Sequence, residues 1–299
     1  MPTRRPDSRV RAPGAASAGR GAWPGPSDPR AVLVVGIVNV TPDSFYDGGR
    51  YAGVDGAVAH ALDLAAEGAD WLDVGGESTR PGSQPVSAAE ERARVLPVIE
   101  ALAKRCALPL SIDTRRAEIA DAALSRGATI VNAVAGLRDP ELAAVCADHG
   151  AHLVLNHMRG EPATMQRAPS YCDVVVEVAR ELSAEAERAE AGGVARERIW
   201  LDPGIGFGKR PREHSVPLIA RLHELVALGY PVLVGPSRKS FLGALTSAPA
   251  DARLPGSLAA ATACVLAGAR ALRMHDVAAA RQAVDVAAAI RDARLEGPT

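Results

Sequence analysis

Seven polar residues stand at one kind of position in this sequence, at the end of a short apolar run. A strand that is buried on both faces of a sheet should stay apolar, so a polar last residue needs an explanation. One such residue could merely cap the helix that follows. For seven together, a shared polar pocket is the better explanation. The seven are Asn39, Asp73, Asp113, Asn132, Asn156, Asp202 and Arg273.

Their side-chain types predict a pocket with two kinds of ligand group. Asp113, Asn132 and Asp202 offer hydrogen-bond acceptors, and Asn132 is also a donor. Two carboxylates and an amide suit a flat ring with several N–H donors, such as a guanidine-like heterocycle. Cationic side chains in the same region suit phosphate or carboxylate. These are Arg238, Lys239, Arg273 and His275.

The elements that must carry these residues alternate regularly from residue 31 onward. Between the apolar runs the sequence has helical periodicity, as where Val58, Ala61, Leu62 and Ala65 fall at i, i+3, i+4 and i+7. Ser87 with Glu90 forms a capping-box pattern, and Pro97 predicts that the second helix is kinked or shortened. The predicted strands are Leu33–Asn39, Trp71–Val74, Leu110–Asp113, Thr129–Asn132, His152–Asn156, Trp200–Asp202, Val232–Gly235 and Ala271–Arg273.

A glycine stands just ahead of five of these strands, where left-handed backbone would end the preceding helix. Eight strand–helix units in one series predict an α/β fold, a (β/α)8 TIM barrel, as a single domain over residues 31–299. An open doubly wound sheet is the alternative, but no GxGxxG pattern follows the first strand. The five glycines are Gly68, Gly127, Gly150, Gly229 and Gly268.

Composition narrows the class of protein. The formal net charge is -1, which gives no overall basic field for nucleic acid or an anionic membrane. No apolar run approaches the roughly 18 residues that span a bilayer. The four cysteines are scattered, which indicates buried thiols in a reducing, cytoplasmic setting. Residues 1–30 hold six Arg, six Pro and four Gly, and predict a disordered tail.

Two loops rich in Gly, Ser, Thr and Pro, Thr41–Gly49 and Gly75–Pro85, are candidate lids for an anion. They contain part of a broader resemblance. Seven segments, spread over about residues 33–290, resemble the dihydropteroate synthases of the folate pathway and occur in that family's order. The segments are Asn-Val-Thr-Pro-Asp-Ser-Phe (39–45), Asp-Val-Gly-Gly-Glu-Ser-Thr-Arg-Pro-Gly (73–82), Ser-Ile-Asp-Thr (111–114), His-Met-Arg-Gly (157–160), Leu-Asp-Pro-Gly-Ile-Gly-Phe-Gly-Lys (201–209), Ser-Arg-Lys-Ser (237–240) and Arg-Met-His-Asp (273–276).

The resemblance implies a TIM barrel that forms a homodimer. It also implies the condensation of 6-hydroxymethyl-7,8-dihydropterin diphosphate with 4-aminobenzoate to give 7,8-dihydropteroate and diphosphate, assisted by Mg2+. An SN1-like displacement fits, because the carbon that diphosphate leaves is attached to an electron-rich ring. Small-molecule substrates are thus expected, with no nucleic acid and no membrane as partner.

Residue by residue, the resemblance implies four catalytic positions and a wider binding set. The catalytic positions are Asp113, Asp202, Lys239 and Arg273. The pterin would contact Asp113, Asn132, Asp202 and Lys239; the diphosphate would contact Arg273 and His275, with Met274 between them; and Asn39 would bind Mg2+. The aminobenzoate pocket would comprise Arg80, Pro81, Phe207 and Ser237, and Thr79 would lie near the diphosphate, at the junction with that pocket.

Three positions depart from the family pattern. Ala133 stands where the family has Asp, Asn156 where an apolar residue is usual, and Pro236 where another residue precedes the serine. The missing carboxylate at Ala133 leaves one alternative open, a pterin-binding or partner-binding paralogue without synthase activity. A barrel that transfers a methyl group from a pterin is a second alternative, but it would leave the 78–81 segment without a role.

Overall fold

The computed structural model describes residues 31–40, 53–78, 83 and 85–296, and within them the chain forms a parallel β-sheet surrounded by helices. The strands follow the predicted positions, with ends that differ by at most one residue. They are β1 Leu33–Asn39, β2 Trp71–Gly75, β3 Leu110–Thr114, β4 Ile130–Ala133, β5 His152–Asn156, β6 Ile199–Asp202, β7 Leu233–Val234 and β8 Ala271–Met274. Residues 1–30 lie outside the described residues, so the tail stays a prediction.

The helices cover the outside of the sheet. Helix α10 is the longest and packs against α9 and β1. The helices are α1 Gly53–Ala66, α2 Ala88–Arg105, α3 Ala117–Leu124, α4 Leu142–Asp148, α5 Val174–Ala191, α6 Val216–Ala220, α7 Leu222–Val226, α8 Ser240–Thr246, α9 Leu254–Leu266 and α10 Val277–Glu296.

The strands close into a barrel. Their order is β6-β5-β4-β3-β2-β1-β8-β7, and every strand pair is parallel. A parallel bridge between Leu201 and Val232 joins β6 to β7 and completes the ring. The (β/α)8 barrel prediction is therefore confirmed, and the open doubly wound sheet is wrong.

Alternate residues of each strand point into the barrel, because the side-chain period of a strand is two. The lower half of the lumen is filled by a separate apolar cluster, in which the rings of Trp71 and Trp200 meet edge to face at 5.8 Å. Two residues beyond them on the same strands, and therefore on the same face, lie Asp73 and Asp202. The same count places Asn132, Asn156 and Arg273 above the apolar cluster, which is Leu33, Val35, Trp71, Ile130, Val154, Trp200, Leu233 and Ala271.

All five glycines ahead of the strands have left-handed backbone, as predicted. Their φ angles run from 59° at Gly150 to 106° at Gly127. At four of them the next residue donates its backbone N–H to a carbonyl five positions back, as Ala128 does to Ala123 at 3.1 Å. This bond satisfies an otherwise unpaired carbonyl at the helix end. The turn then directs the chain inward to start a strand.

Helix α2 confirms the predicted cap and shows that Pro97 does not shorten it. Ser87 caps its start, with its Oγ accepting the N–H of Glu90 at 3.2 Å. The helix is not shortened at Pro97 but continues to Arg105. Pro97 and Ala93, the residue that loses its hydrogen-bond donor, are both exposed. Water can therefore satisfy the Ala93 carbonyl, which lowers the cost of the proline.

Substituting alanine at two of these glycines should separate backbone strain from steric overlap. Gly68 (φ 100°) has space around a Cβ, since its nearest neighbour is an Arg281 carbon at 3.5 Å, whereas a Cβ on Gly127 (φ 106°) would lie 2.7 Å from Ala103 Cβ. We expect Gly68→Ala to lower the free energy of unfolding by about 1 kcal/mol. Gly127→Ala should lower it by about 1–3 kcal/mol more. Urea denaturation measures both, and equal losses would contradict the overlap.

Candidate active site

Four strands contribute to a buried ionic network at the mouth of the barrel. Arg273 of β8 donates from Nε to Asp73 Oδ2 at 2.6 Å and from Nη2 to Asp113 Oδ2 at 2.8 Å. Asn132 Nδ2 donates to the same Asp73 oxygen at 3.1 Å. The carboxylate of Asp73 is almost completely buried. The network therefore fixes the orientation of Arg273 and Asn132 before any ligand arrives.

A second group lies across the mouth, after β6 and β7. Asp202 Oδ1 accepts the backbone N–H of Gly204 at 2.7 Å, which fixes this carboxylate at the start of the loop. The ammonium nitrogen of Lys239 lies 3.7 Å from the centre of the Phe207 ring, close enough for a cation–π interaction. Phe207 and Lys239 are thus neighbours, although 32 positions separate them in the chain.

A third group joins Ser237 to His275. Ser237 Oγ accepts the backbone N–H of His275 at 3.1 Å and lies 3.0 Å from its ring Nδ1. The hydroxyl hydrogen can be donated to Nδ1, and in that tautomer the ring proton resides on Nε2. Met274 between the strand and His275 is fully buried. The arrangement directs an N–H donor of His275 away from Ser237.

Burial shifts the pKa values of three charged groups at the mouth toward their neutral forms. It raises the pKa of Asp113 to about 7, opposed by the charge of Arg273. It also raises the pKa of Asp202, opposed by the Gly204 N–H. Burial, and secondly the charge of Arg273, lowers the pKa of Lys239 to about 8. A ligand that brings opposite charge or hydrogen bonds would restore the ionised forms.

Two of the predicted cations do not supply free positive charge. Burial, followed by the charge of Arg273, lowers the pKa of His275 to about 3, so this side chain is neutral near pH 7. Arg238 is paired with Asp276, with Nε donating to Oδ2 at 3.0 Å. The prediction of a positively charged His275 is therefore wrong. Of the four predicted cations, Arg273 and Lys239 lie at the mouth, and Arg273 is itself paired with Asp73 and Asp113.

The structure brings most of the predicted site residues together, but part of the set cannot be placed. Asn39 ends β1 and is half-buried, in register with Gly75. The predictions for Thr79, Arg80 and Pro81, and for the loop Thr41–Gly49, lie outside the described residues. Met274 follows Arg273 and is fully buried in the outer apolar core, so its side chain does not line the mouth. The residues that share the mouth are Asp113, Asn132, Asp202, Phe207, Ser237, Lys239, Arg273 and His275.

Sequence reasoning assigned no role to two residues of this region. Asp73 is recognisable as a polar strand end, yet its bond to Arg273 spans 200 positions and no local pattern indicates it. Lys209 is the last residue of the 201–209 segment and is only 2% exposed. A buried lysine is rare, but the sequence gives no sign of burial there. Both contact residues that the predicted site contains.

The departure at Ala133 lies away from the mouth. Ala133 follows Asn132, so it faces the helices, and it is fully buried in the outer apolar core. A shorter side chain there removes no group from the lumen. Asn156, by contrast, is on the lumen face, and its hydrogen bond to Asp202 lowers the pKa of that carboxyl. Its Oδ1 has no partner among the described residues.

Comparisons with known proteins agree with this geometry. Residues 35–275 match the family described as pterin binding enzyme. The chain is 50% identical over 262 residues to the dihydropteroate synthase of Neisseria meningitidis serogroup B, covering 85% of this chain and 90% of that protein.

Solved structures give the same result. The Yersinia pestis dihydropteroate synthase in a sulfonamide drug complex superposes with a TM-score of 0.84 at 41% identity, covering 89% of this chain and 96% of that one. The Xanthomonas albilineans dihydropteroate synthase with 4-aminobenzoic acid superposes with a TM-score of 0.82 at 48% identity, covering 87% and 93%.

The neutral His275 should make stability depend on pH. Its folded pKa lies below the ordinary value of about 6.5, so its contribution is present above that value and lost as the pH falls. Between pH 7 and pH 5, the wild type should lose about 2 kcal/mol more unfolding free energy than His275→Asn, which cannot titrate. Urea denaturation at both pH values measures this difference. Identical pH dependences would show that His275 is not held neutral.

Proposed function

The chain belongs to the family of pterin-binding enzymes, and we propose that it acts as a dihydropteroate synthase. It condenses 6-hydroxymethyl-7,8-dihydropterin diphosphate with 4-aminobenzoate and releases 7,8-dihydropteroate and diphosphate. The observation that carries the proposal is the buried network at the mouth, in which Arg273 and Asn132 are preset by Asp73. The 50% identity to a dihydropteroate synthase, in an alignment that covers 90% of that protein, supports it.

The pterin ring is assigned to the lumen, above the apolar cluster that contains Trp71 and Trp200, which we call the tryptophan layer. Asp113 and Asp202 are carboxylates that would accept from the ring N–H groups, and Lys239 would donate to a ring acceptor. Asn132 Oδ1 is buried and has no partner among the described residues, so it is available as a further acceptor. Bonds from pterin N–H groups would favour the ionised carboxylates and oppose the effect of burial on their pKa.

The diphosphate is assigned to the rim, beside Arg273 and His275. Arg273 is held by two carboxylates and presents a fixed positive charge. His275 would act as a neutral donor through Nε2–H, because Ser237 occupies Nδ1. Met274 between them is packed in the core and holds this backbone in place. Charge that develops on the leaving oxygen would be stabilised by these two groups.

The 4-aminobenzoate is assigned to the side of Phe207 and Ser237. The Phe207 ring supplies an apolar surface. Its position is stabilised by the cation–π contact with Lys239. Thr79, Arg80 and Pro81 would complete the pocket, by the resemblance of their segment. The Xanthomonas albilineans structure with 4-aminobenzoic acid supports this substrate class. The amine attacks the carbon that diphosphate leaves.

The chemistry needs little acid–base help from the protein. An arylamine is neutral near pH 7, so its lone pair is available without a strong general base. As the C–O bond to diphosphate breaks first, positive charge spreads into the electron-rich pterin ring. The carboxylates of Asp113 and Asp202 stabilise that charge in a buried setting, where electrostatic effects are larger than in water. The displacement is therefore SN1-like.

A magnesium ion fits this arrangement as a substrate-held cofactor. Among the described residues no three His, Cys, Asp or Glu side chains cluster into a metal cage. Mg2+ seldom needs one, since it keeps several waters and uses one or two protein oxygens together with substrate phosphates. The amide oxygen of Asn39, half-buried at the end of β1, would be such a ligand. When bound, the ion would neutralise charge on the leaving diphosphate.

The observation that supported a pterin-binding protein without synthase activity no longer favours that alternative. It depended on Ala133, whose side chain is buried in the outer apolar core and not in the lumen. The proposed pterin residues Asp113, Asn132, Asp202 and Lys239 are all present at the mouth. The methyl-transfer alternative would still leave the 78–81 segment without a role.

We extend the proposal to a homodimer in the cytoplasm. The outer face of α10 carries apolar residues at i, i+3, i+4 and i+7, namely Val286, Ala289, Ile290 and Ala293, all exposed in the single chain. Such a stripe suits burial against a second copy. A sedimentation mass of one chain would contradict the dimer.

No described helix is long and apolar enough to cross a membrane. The cysteines are free thiols, as a reducing compartment such as the cytoplasm maintains.

The purified protein should release diphosphate when both substrates and Mg2+ are supplied. Diphosphate and dihydropteroate should appear in equal amounts, measured by a coupled phosphate assay and by chromatography. Omitting 4-aminobenzoate tests whether release depends on the amine, and adding EDTA tests the magnesium requirement. Binding of pterin without any release would support the inactive paralogue instead. Release that is unaffected by EDTA would remove the role assigned to Asn39.

Removing the charge of Asp113 should slow the chemical step. Asp113→Asn keeps the size of the side chain but deletes a carboxylate that stabilises the cationic ring. We expect kcat to fall by about 100-fold or more, as for loss of one preorganised electrostatic contact. Asp148→Asn, an exposed residue at the end of α4, is the matched control and should leave kcat unchanged. An unchanged kcat in Asp113→Asn would exclude the SN1-like mechanism.

A further inference from the structure

Three consecutive carbonyls of the loop after β6 are each held by a different side chain. Gln166 Nε2 donates to the Gly206 carbonyl at 2.5 Å, Lys209 Nζ donates to the Phe207 carbonyl at 3.0 Å, and the Tyr171 hydroxyl donates to the Gly208 carbonyl at 3.1 Å. We call Gln166, Tyr171 and Lys209 the carbonyl clamp. Loop carbonyls usually bond to water, so three successive side-chain bonds indicate a backbone that is held in one conformation.

Lys209 is the buried member of the clamp. Its ammonium contacts three acceptors, one for each proton: His157 Nδ1 at 2.9 Å, the Phe207 carbonyl at 3.0 Å and the His157 carbonyl at 3.4 Å. His157 Nε2 lies 2.8 Å from Glu181 Oε2. Glu181 therefore fixes the tautomer in which Nδ1 accepts from the lysine. The lysine ties the loop after β6 to the segment after β5.

The charge of Lys209 is costly where it lies. Burial lowers its pKa to about 7, partly offset by the carboxylate of Asp202. Methionine or leucine would fill the same volume without that cost. The proposed mechanism assigns no task to this lysine, so its retention needs another explanation.

Packing alone does not fix the backbone conformation of the loop after β6, because the loop contains three glycines. Gly204, Gly206 and Gly208 all have positive φ, at 65°, 82° and 59°. A Cβ on Gly204 would lie 1.9 Å from the His157 carbonyl oxygen, and a Cβ on Gly208 would lie 2.6 Å from the Arg159 carbonyl oxygen. Alternating glycines let the loop approach the 157–159 backbone closely, but they also leave it many conformations. The clamp selects one of them.

The selected conformation places the Phe207 ring beneath Lys239. Phe207 is half-buried and packs against Met158 and Met165, with the Lys239 ammonium 3.7 Å above its ring centre. A shift of the Phe207 backbone would move the ring away from the assigned 4-aminobenzoate pocket. The start of the loop is fixed separately, by the Gly204 bond to Asp202. The bond that fixes the carboxylate of Asp202 therefore does not involve a clamp residue.

We infer that Lys209, with Gln166 and Tyr171, is a positioning residue that sets the affinity for 4-aminobenzoate through the backbone of Phe207. The inference rests on the proposed synthase function, because it assigns the ring of Phe207 to the second substrate. It distinguishes the two substrates: the amine should lose affinity when the clamp is weakened, and the pterin should not.

The test is Lys209→Met in the full-length chain, with Lys104→Met as the matched control. Lys104 is an exposed lysine of α2 that pairs with Glu100. We expect Lys209→Met to raise the KM for 4-aminobenzoate by about tenfold, since a displacement of about 1 Å can cost up to about 100-fold. The KM for the pterin diphosphate, and the Kd of 6-hydroxymethylpterin by calorimetry, should stay within about twofold of wild type, and Lys104→Met should match wild type throughout.

Two outcomes would overturn the inference. An unchanged KM for 4-aminobenzoate in folded Lys209→Met would show that the lysine does not position Phe207. Equal rises for both substrates would show a general structural role instead. If Lys209→Met does not fold, Tyr171→Phe deletes one bond of the clamp, and its KM for 4-aminobenzoate should rise about threefold; no rise would overturn the inference. Failure of the wild type to release diphosphate would reject the proposed function itself.

Discussion

The buried guanidinium of Arg273 is the interaction on which the mouth of the barrel depends. It joins β8 to the carboxylates of β2 and β3, and through Asp73 to Asn132 of β4. Removing one member of a buried ionic group leaves an uncompensated charge, which costs several kcal/mol, about 3–5. Compared with apolar residues of the same volume, such a group also lowers stability, so the chain keeps its ligand groups in place at a cost. The cost is met elsewhere, by the apolar layers of the barrel.

Those layers explain why polar groups can concentrate at one end. The lumen below the mouth is filled by an apolar cluster that includes both Trp71 and Trp200, and the outer core fills the space between strands and helices. Because side chains alternate along each strand, the last inward residue of a strand lies above the apolar cluster and does not have to fill the core. A polar residue there meets other polar residues, and the mouth becomes a site without weakening the core.

The alternation also explains what could be predicted from the sequence. Strand ends such as Asp113, Asn132 and Asp202 follow from local pattern, and the resemblance supplied their roles. Counting in twos from Ile130 would also have placed Ala133 on the outer face. Asp73 also follows as a strand end of the shared pocket, but its bond to Arg273 does not, because no local pattern indicates a pairing across 200 positions. The charge of His275 was misjudged because burial, which sets its pKa, is invisible in the sequence.

The tryptophan layer has one more consequence. It seals the lumen from below, so within the described barrel the mouth is the way in and the way out. A ligand in the depth of such a vessel must enter before one that occupies its rim, and it cannot leave while the rim is filled. The order of arrival and departure is then set by depth: in a barrel with its floor closed, the first ligand to enter is the last to leave.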